Sequence, residues 1–150
     1  MGKLKLSLFL ALLISTISTT GQILAPVKWS YAAKKLDQKY AVVYLKAEME
    51  VNWHIYSTKM QTDGPVARAF TFNATPEYSL VEDVKEPKPI KHFEKAFGRN
   101  ALYFEKSVVF QQKILLNKEA MVIKGKLRYM ACDNKRCLSP QEVSFEIPVK

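Results

Sequence analysis

The stretch Tyr40-Ala41-Val42-Val43-Tyr44-Leu45-Lys46-Ala47-Glu48-Met49-Glu50 decides the fold class. Ala41, Val43, Leu45, Ala47 and Met49 are apolar at every second position. Tyr44, Lys46, Glu48 and Glu50 occupy the alternate positions. Successive side chains of a β-strand point to opposite faces, so a period of two reads as a strand with one face buried.

The same period extends outward in both directions. Val27, Trp29 and Tyr31 alternate with polar or small neighbours. Residues 66–72 and 78–81 read as further strands. Leu102, Phe104, Lys106, Val108 and Phe110 alternate with Tyr103, Glu105, Ser107 and Val109, and residues 121–130 and 143–149 are strand-like again. Turn signals separate these runs: Asp63-Gly64-Pro65, Thr75-Pro76, Glu86-Pro87-Lys88-Pro89, Asn117-Lys118 and Ser139-Pro140. Only residues 34–39 and 90–96 leave room for a helical turn. Seven or more short strands joined by turns imply an all-β, two-sheet sandwich.

The chain has 150 residues, which fits one domain. Met1-Gly2-Lys3-Leu4-Lys5 is a short basic segment. Residues 6–14 are nearly all apolar, and small residues Thr19 and Gly21 precede Gln22. This is the pattern of a signal peptide over residues 1–21, leaving a domain over residues 22–150. The apolar run is shorter than the roughly 20 residues a spanning helix needs, and no later run is apolar enough. The expectation is an exported domain with no membrane span in its mature part. The formal net charge is +9, but Lys and Arg are scattered rather than clustered. That distribution reads as a solvated surface, and nucleic acid is not an expected partner. No Gly-rich phosphate loop, serine-nucleophile motif or HExxH helix is present. The adjacent Glu82 and Asp83 point apart on a strand, and Asn73-Ala74-Thr75 reads as a surface turn.

Two cysteines lie in Tyr129-Met130-Ala131-Cys132-Asp133-Asn134-Lys135-Arg136-Cys137-Leu138-Ser139-Pro140. The four residues between them are polar or charged, as in an exposed turn, and an exported protein is free to form a disulfide. The spacing leaves three readings open. A structural staple over so short a loop is worth about 2 kcal/mol, a modest gain for a domain of this size, which buries roughly two-thirds of its unfolded surface. An exposed bridge is instead the labile, exchanging kind, and Lys135 and Arg136 favour a nearby thiolate while Asp133 opposes it. A zinc site would need His54 and His92, which lack ligand spacing; no metal is expected.

Tyr129, Cys132, Cys137 and Pro140 form Y-x-x-C, a short polar loop and C-x-x-P. This resembles the active-site hairpin of the N-terminal domain of the thiol:disulfide interchange protein DsbD. Asn52-Trp53-His54-Ile55-Tyr56-Ser57 is similar to that family's aromatic segment. Phe93-Glu94-Lys95-Ala96-Phe97-Gly98, followed by Leu102-Tyr103, resembles its cap loop and next strand. The likeness runs from about Val27 to Val149. Two departures from the family's best-known member stand out: the cysteine loop is one residue shorter, and the cap has one acid and one aromatic replaced.

The resemblance implies an immunoglobulin-like sandwich in the periplasm that exchanges disulfides without a cofactor, a protein-disulfide reductase type of activity. It implies Cys137 as the residue that forms mixed disulfides and Cys132 as the resolving thiol. Phe97, or else Phe93, would be the shielding ring of the cap, and His54, Tyr56 and Glu94 would be accessory groups. The implied partners are thioredoxin-fold proteins, including those of cytochrome c maturation. With the sequence given ending at Lys150, a membrane electron transporter is expected as a separate chain. The competing expectation is a non-catalytic immunoglobulin-like binding module of the cell envelope with a structural disulfide.

Overall fold

The computed structural model describes residues 24–60, 69–94 and 98–150. Eleven strands are found among them: β1 (Val27–Lys35), β2 (Tyr40–Met49), β3 (His54–Tyr56), β4 (Phe70–Phe72), β5 (Tyr78–Lys85), β6 (Ile90–Glu94), β7 (Arg99–Glu105), β8 (Ser107–Leu116), β9 (Met121–Tyr129), β10 (Ala131–Cys132) and β11 (Gln141–Val149). They pair antiparallel in three hydrogen-bonded sheets, ordered β1-β2-β8-β5, β10-β3-β7-β6 and β11-β9-β4. The architecture is the all-β sandwich the alternation implies, in the immunoglobulin-like form the resemblance implies. Among the described residues no helix is long and apolar enough to cross a membrane.

The first and third sheets pack face to face. The alternating residues Ala41, Val43, Leu45 and Ala47 of β2 are fully buried, and Ile123, Leu127, Phe145, Ile147 and Val149 meet them from the opposite sheet in one core. Aromatic rings bridge the layers: Trp29 lies 5.5 Å from Tyr129, Tyr31 lies 5.7 Å from Phe145, and Phe70 lies 4.9 Å from Phe110. Such offset and tilted ring pairs add to the area they bury.

The second sheet closes one end of this sandwich, and two residues with left-handed backbone create it. Asn52 (φ 69°) stands between β2 and β3, and Lys106 (φ 63°) stands between β7 and β8. Side-chain-bearing residues rarely adopt this conformation. Here they turn the strand pair out of the first sheet, with the Met49 N–H donating to the Lys106 carbonyl at 2.8 Å. β10 in turn continues β9 from the third sheet, interrupted only at Met130. The short β10–β3 pairing, Ala131 opposite Ile55 and Cys132 opposite His54, therefore joins strands from both layers.

Several local expectations are corrected. Residues 90–94 form strand β6 and not a helical turn, because each pairs with β7 from Ile90↔Tyr103 to Glu94↔Arg99. Residues 34–39 hold no helical turn either. β1 runs to Lys35, and the Asp37 carboxylate then accepts the N–H groups of Lys39 and Tyr40 at 2.7 and 2.8 Å, forming a side-chain-built turn. Lys106 interrupts the alternation read across residues 102–110. The strand expected over 66–72 is β4 where it is described, and residues 61–68 lie outside the described part, with the Asp63-Gly64-Pro65 turn. The signal-peptide expectation for residues 1–21 also lies outside it. The Pro-rich segment is a loop between β5 and β6, as its composition implies. Glu86 anchors it by accepting from the Ser57 hydroxyl and from the Thr58 N–H and hydroxyl at 3.0 and 2.9 Å.

Candidate functional site

Cys132 and Cys137 are bonded to one another across a narrow hairpin, with S–S 2.01 Å and Cα–Cα 4.0 Å. The hairpin follows from its sequence. The Leu138 N–H donates to the Ala131 carbonyl at 2.9 Å, and the Asp133 N–H to the Arg136 carbonyl at 2.9 Å. Between these rungs the Asp133 carboxylate accepts the N–H groups of Lys135 and Arg136 at 2.7 Å each. Those two backbone bonds hold the Asp133 carboxyl below the usual range, with Arg136 and Lys135 adding to the effect. Asp133 is thus the residue that builds the loop, and its Oδ2 lies 3.9 Å from the Arg136 guanidinium.

The two cysteines stand in different surroundings. Cys132 is 1 % exposed, and Cys137 is exposed in the loop with Lys135 and Arg136. Cys132 packs in a small apolar cluster of its own with Tyr56, Ala69 and Ala101, against which Met60, Tyr103 and Met130 lie. A disulfide so placed offers one reachable end and one sheltered end. Exchange requires an attackable sulfur and a leaving sulfur, and the asymmetry distinguishes the two.

Strand register shows which expected site residues come together. Residues directly opposite each other in an antiparallel pair share a face. Cys132 pairs with His54, and His54 pairs with Glu105. The next row on that face holds Tyr56 opposite Tyr103, with Ile90 beyond. His54 confirms the shared face by its ring contacts, 4.7 Å from Tyr103 and 5.6 Å from Tyr56 between centroids. The intervening row, Ala131, Ile55 and Phe104, faces the main core. His54 and Tyr56 therefore sit beside the buried cysteine, and the sequence offered no signal that Glu105 joins them.

None of the remaining expected residues that the structure describes lies in the row of Cys132, His54 and Glu105 or in the next one. Phe93 pairs with Asn100, which lies in register on the face opposite Cys132, and it is 54 % exposed. Glu94 pairs with Arg99 at the end of β6. Phe97 lies outside the described residues. Trp53 belongs to the main core. So does Tyr129 of the cysteine motif, whose phenol is pushed up by burial. His92 is exposed on β6. Among the described residues, no three His, Cys, Asp or Glu side chains gather where a metal ion could be held.

The family model for the thiol:disulfide interchange protein DsbD, N-terminal, matches residues 20–148. No curated protein sequence matches the chain. Among solved structures, the chain is similar to the N-terminal periplasmic domain of ScsB from Proteus mirabilis, at 21 % identity and TM-score 0.55. That match covers 85 % of this chain and 49 % of the other, so the present chain spans about half its length. The chain is also similar to a structure of the complex between the DsbD N-terminal and PilB N-terminal domains from Neisseria meningitidis, at 15 % identity and TM-score 0.53, covering 83 % of this chain and 87 % of that one. At these identities the likeness to the two structures is one of fold.

Proposed function

This chain belongs to the family of the DsbD N-terminal domain, and on that premise we propose that it is a periplasmic thiol–disulfide exchange domain that relays electrons between thioredoxin-fold partners through Cys132 and Cys137. The observation that carries the reading is the asymmetric disulfide: Cys137 exposed on a tight charged loop, Cys132 buried beside His54 and Tyr56. Cys137 as a thiolate attacks a partner disulfide and forms the mixed disulfide. Cys132 then attacks Cys137, closes the internal bridge and releases the partner with both of its sulfurs reduced. The pair gives up two electrons and the partner gains them, so no metal or organic cofactor enters. Lys135 and Arg136 favour the Cys137 thiolate and present a cationic rim to an incoming partner. The segment around Phe97 is the proposed cap over the pair, with Phe93 and Glu94 at its start.

A partner protein is supported by the Neisseria DsbD N-terminal domain, which assembles with the PilB N-terminal domain. Periplasmic placement is supported by the ScsB relative and by the signal-peptide pattern of residues 1–21. Electrons would reach the pair from a membrane transporter and pass to acceptors such as the thioredoxins of cytochrome c maturation.

The test is the reduction potential of the Cys132–Cys137 couple, measured by equilibrating the folded protein with glutathione buffers and counting free thiols. A cycling pair lies between roughly −270 and −120 mV. A value below about −300 mV would identify a structural staple and leave the chain a binding module of the envelope.

A further inference from the structure

The buried cysteine raises a chemical requirement that the exposed one does not. Each time a partner thiolate attacks Cys137, the sulfur that leaves is Cys132. It leaves into a cluster of Tyr56, Ala69 and Ala101 with Met60, Tyr103 and Met130 against it. Apolar surroundings disfavour a thiolate. Lys135 and Arg136 lie in the exposed loop, on the Cys137 side of the hairpin. A buried leaving thiolate needs a proton delivered from nearby.

Register supplies one group able to do so. His54 is directly opposite Cys132 on β3, at a cross-strand spacing of about 4.5–5.5 Å between β-carbons, and Glu105 of β7 is directly opposite His54 on its other side. The three form one row across three strands on one face. Their exposure grades from buried Cys132 through half-buried His54 to exposed Glu105. Glu105 also lines an open cavity of about 480 Å³ with Glu48, Glu50 and Lys106, and with Asn134 of the cysteine loop. The row therefore runs from the buried sulfur to solvent.

Resting on the exchange reading above, we propose that His54, positioned by Glu105, is the proton donor and acceptor for Cys132. In the reductive direction a thiolate attacks Cys137 Sγ and the Cys132–Cys137 bond breaks. The electron pair stays on Cys132, and the His54 imidazolium gives it a proton. In the opposite direction neutral His54 removes the Cys132 proton. The thiolate then attacks Cys137, the internal disulfide forms, and the other thiol departs as its thiolate. The Glu105 carboxylate stabilises the imidazolium between these events, as a neighbouring opposite charge does. Among the described residues, the titratable and charged groups that bear on His54 include Cys132 from β10, Glu105 and Tyr103 from β7, and Tyr56 on its own strand. Asp133, Lys135 and Arg136 lie in the hairpin loop, and Glu48, Glu50 and Lys106 lie around the cavity beyond Glu105.

The test uses reduced glutathione as the attacking thiol on the oxidised full chain, in stopped flow from pH 5 to 9. Rates are divided by the glutathione thiolate fraction. The wild-type profile should rise toward low pH with one inflection in the imidazole range, about pH 6–7. His54→Gln should lose the inflection and slow the reaction by about a hundredfold at low pH, the lower end of what a positioned acid contributes. Glu105→Gln, at an exposed position that the fold does not need filled by a carboxylate, should keep the inflection but move it to lower pH. Profiles that superimpose for wild type and both variants overturn the assignment and leave the exchange reading standing. An oxidised pair that glutathione fails to reduce at every pH overturns the exchange reading itself, and this assignment with it.

Discussion

At the scale of single residues, Asp133 determines the loop that presents Cys137. Its carboxylate accepts from the N–H groups of Lys135 and Arg136, and these bonds are stronger while it is ionised. Its carboxyl titrates lower in the folded protein than in the unfolded chain, so its contribution is fully present above about pH 3.9, the ordinary Asp value. That contribution is lost as pH falls through the depressed folded value. The amide proton signals of Lys135 and Arg136 should accordingly move together in an NMR titration, with a midpoint below about 3.9. In Asp133→Ala both signals should sit near their acid-limit positions at neutral pH. A midpoint at or above the ordinary value would mean that the carboxylate does not hold the turn. The sequence marked Asp133 only as a charge opposing a thiolate. A side chain's hydrogen bonds to the backbone two and three residues on depend on a local conformation that a charge count does not contain.

At the scale of elements, the third sheet depends on one glycine. Gly125 lies mid-strand in β9, opposite Phe145 on β11 and Phe72 on β4, and those two rings contact each other at 5.4 Å. A β-carbon at Gly125 would strike the Thr71 carbonyl oxygen, and would stand 2.5 Å from Cζ of Phe145. The carbonyl is backbone in the paired strand and moves only if β4 moves. Gly125→Ala should therefore destabilise the protein by about 1–3 kcal/mol, the usual cost of overpacking, read as a lower urea midpoint with an unchanged slope. A midpoint equal to wild type would show that β4 shifts without cost. The irregularity in β5 has a comparable local cause. Glu82 takes a left-handed φ of 65°, and the buried Gln112 amide donates to the carbonyls of Val81 and Glu82 at 3.2 Å each. That amide satisfies polar groups the bulge removes from the ladder. Strands with clean alternation were legible in the sequence, whereas β6 was not. Ile90, His92 and Phe93 carry no alternating pattern, and β6 is a strand only because β7 lies alongside to pair with it.

At the scale of the whole molecule, a continuous core joins the two large sheets, and the disulfide lies at the end where strands from both meet. Stability comes from the core, so the Cys132→Ala, Cys137→Ala double variant should stay folded. It should lose about 2 kcal/mol or less in urea denaturation, while losing all exchange with glutathione. Unfolding of that variant at 25 °C would make the bridge a structural requirement and remove the distinction between it and a staple. The sequence by itself determined the strand character of β2, β8, β9 and β11, the all-β sandwich, the proximity of the two cysteines and the charged turn between them. Each of these is a local property, fixed by a period of two, by turn residues or by a separation of a few positions. Tertiary structure alone decided that Cys132 is buried and Cys137 exposed, that Phe93 turns away from the pair, and that His54 and Glu105 share its row. Those relations are set by register between strands distant in sequence, where a slip of one residue would send every side chain of a strand to the other face.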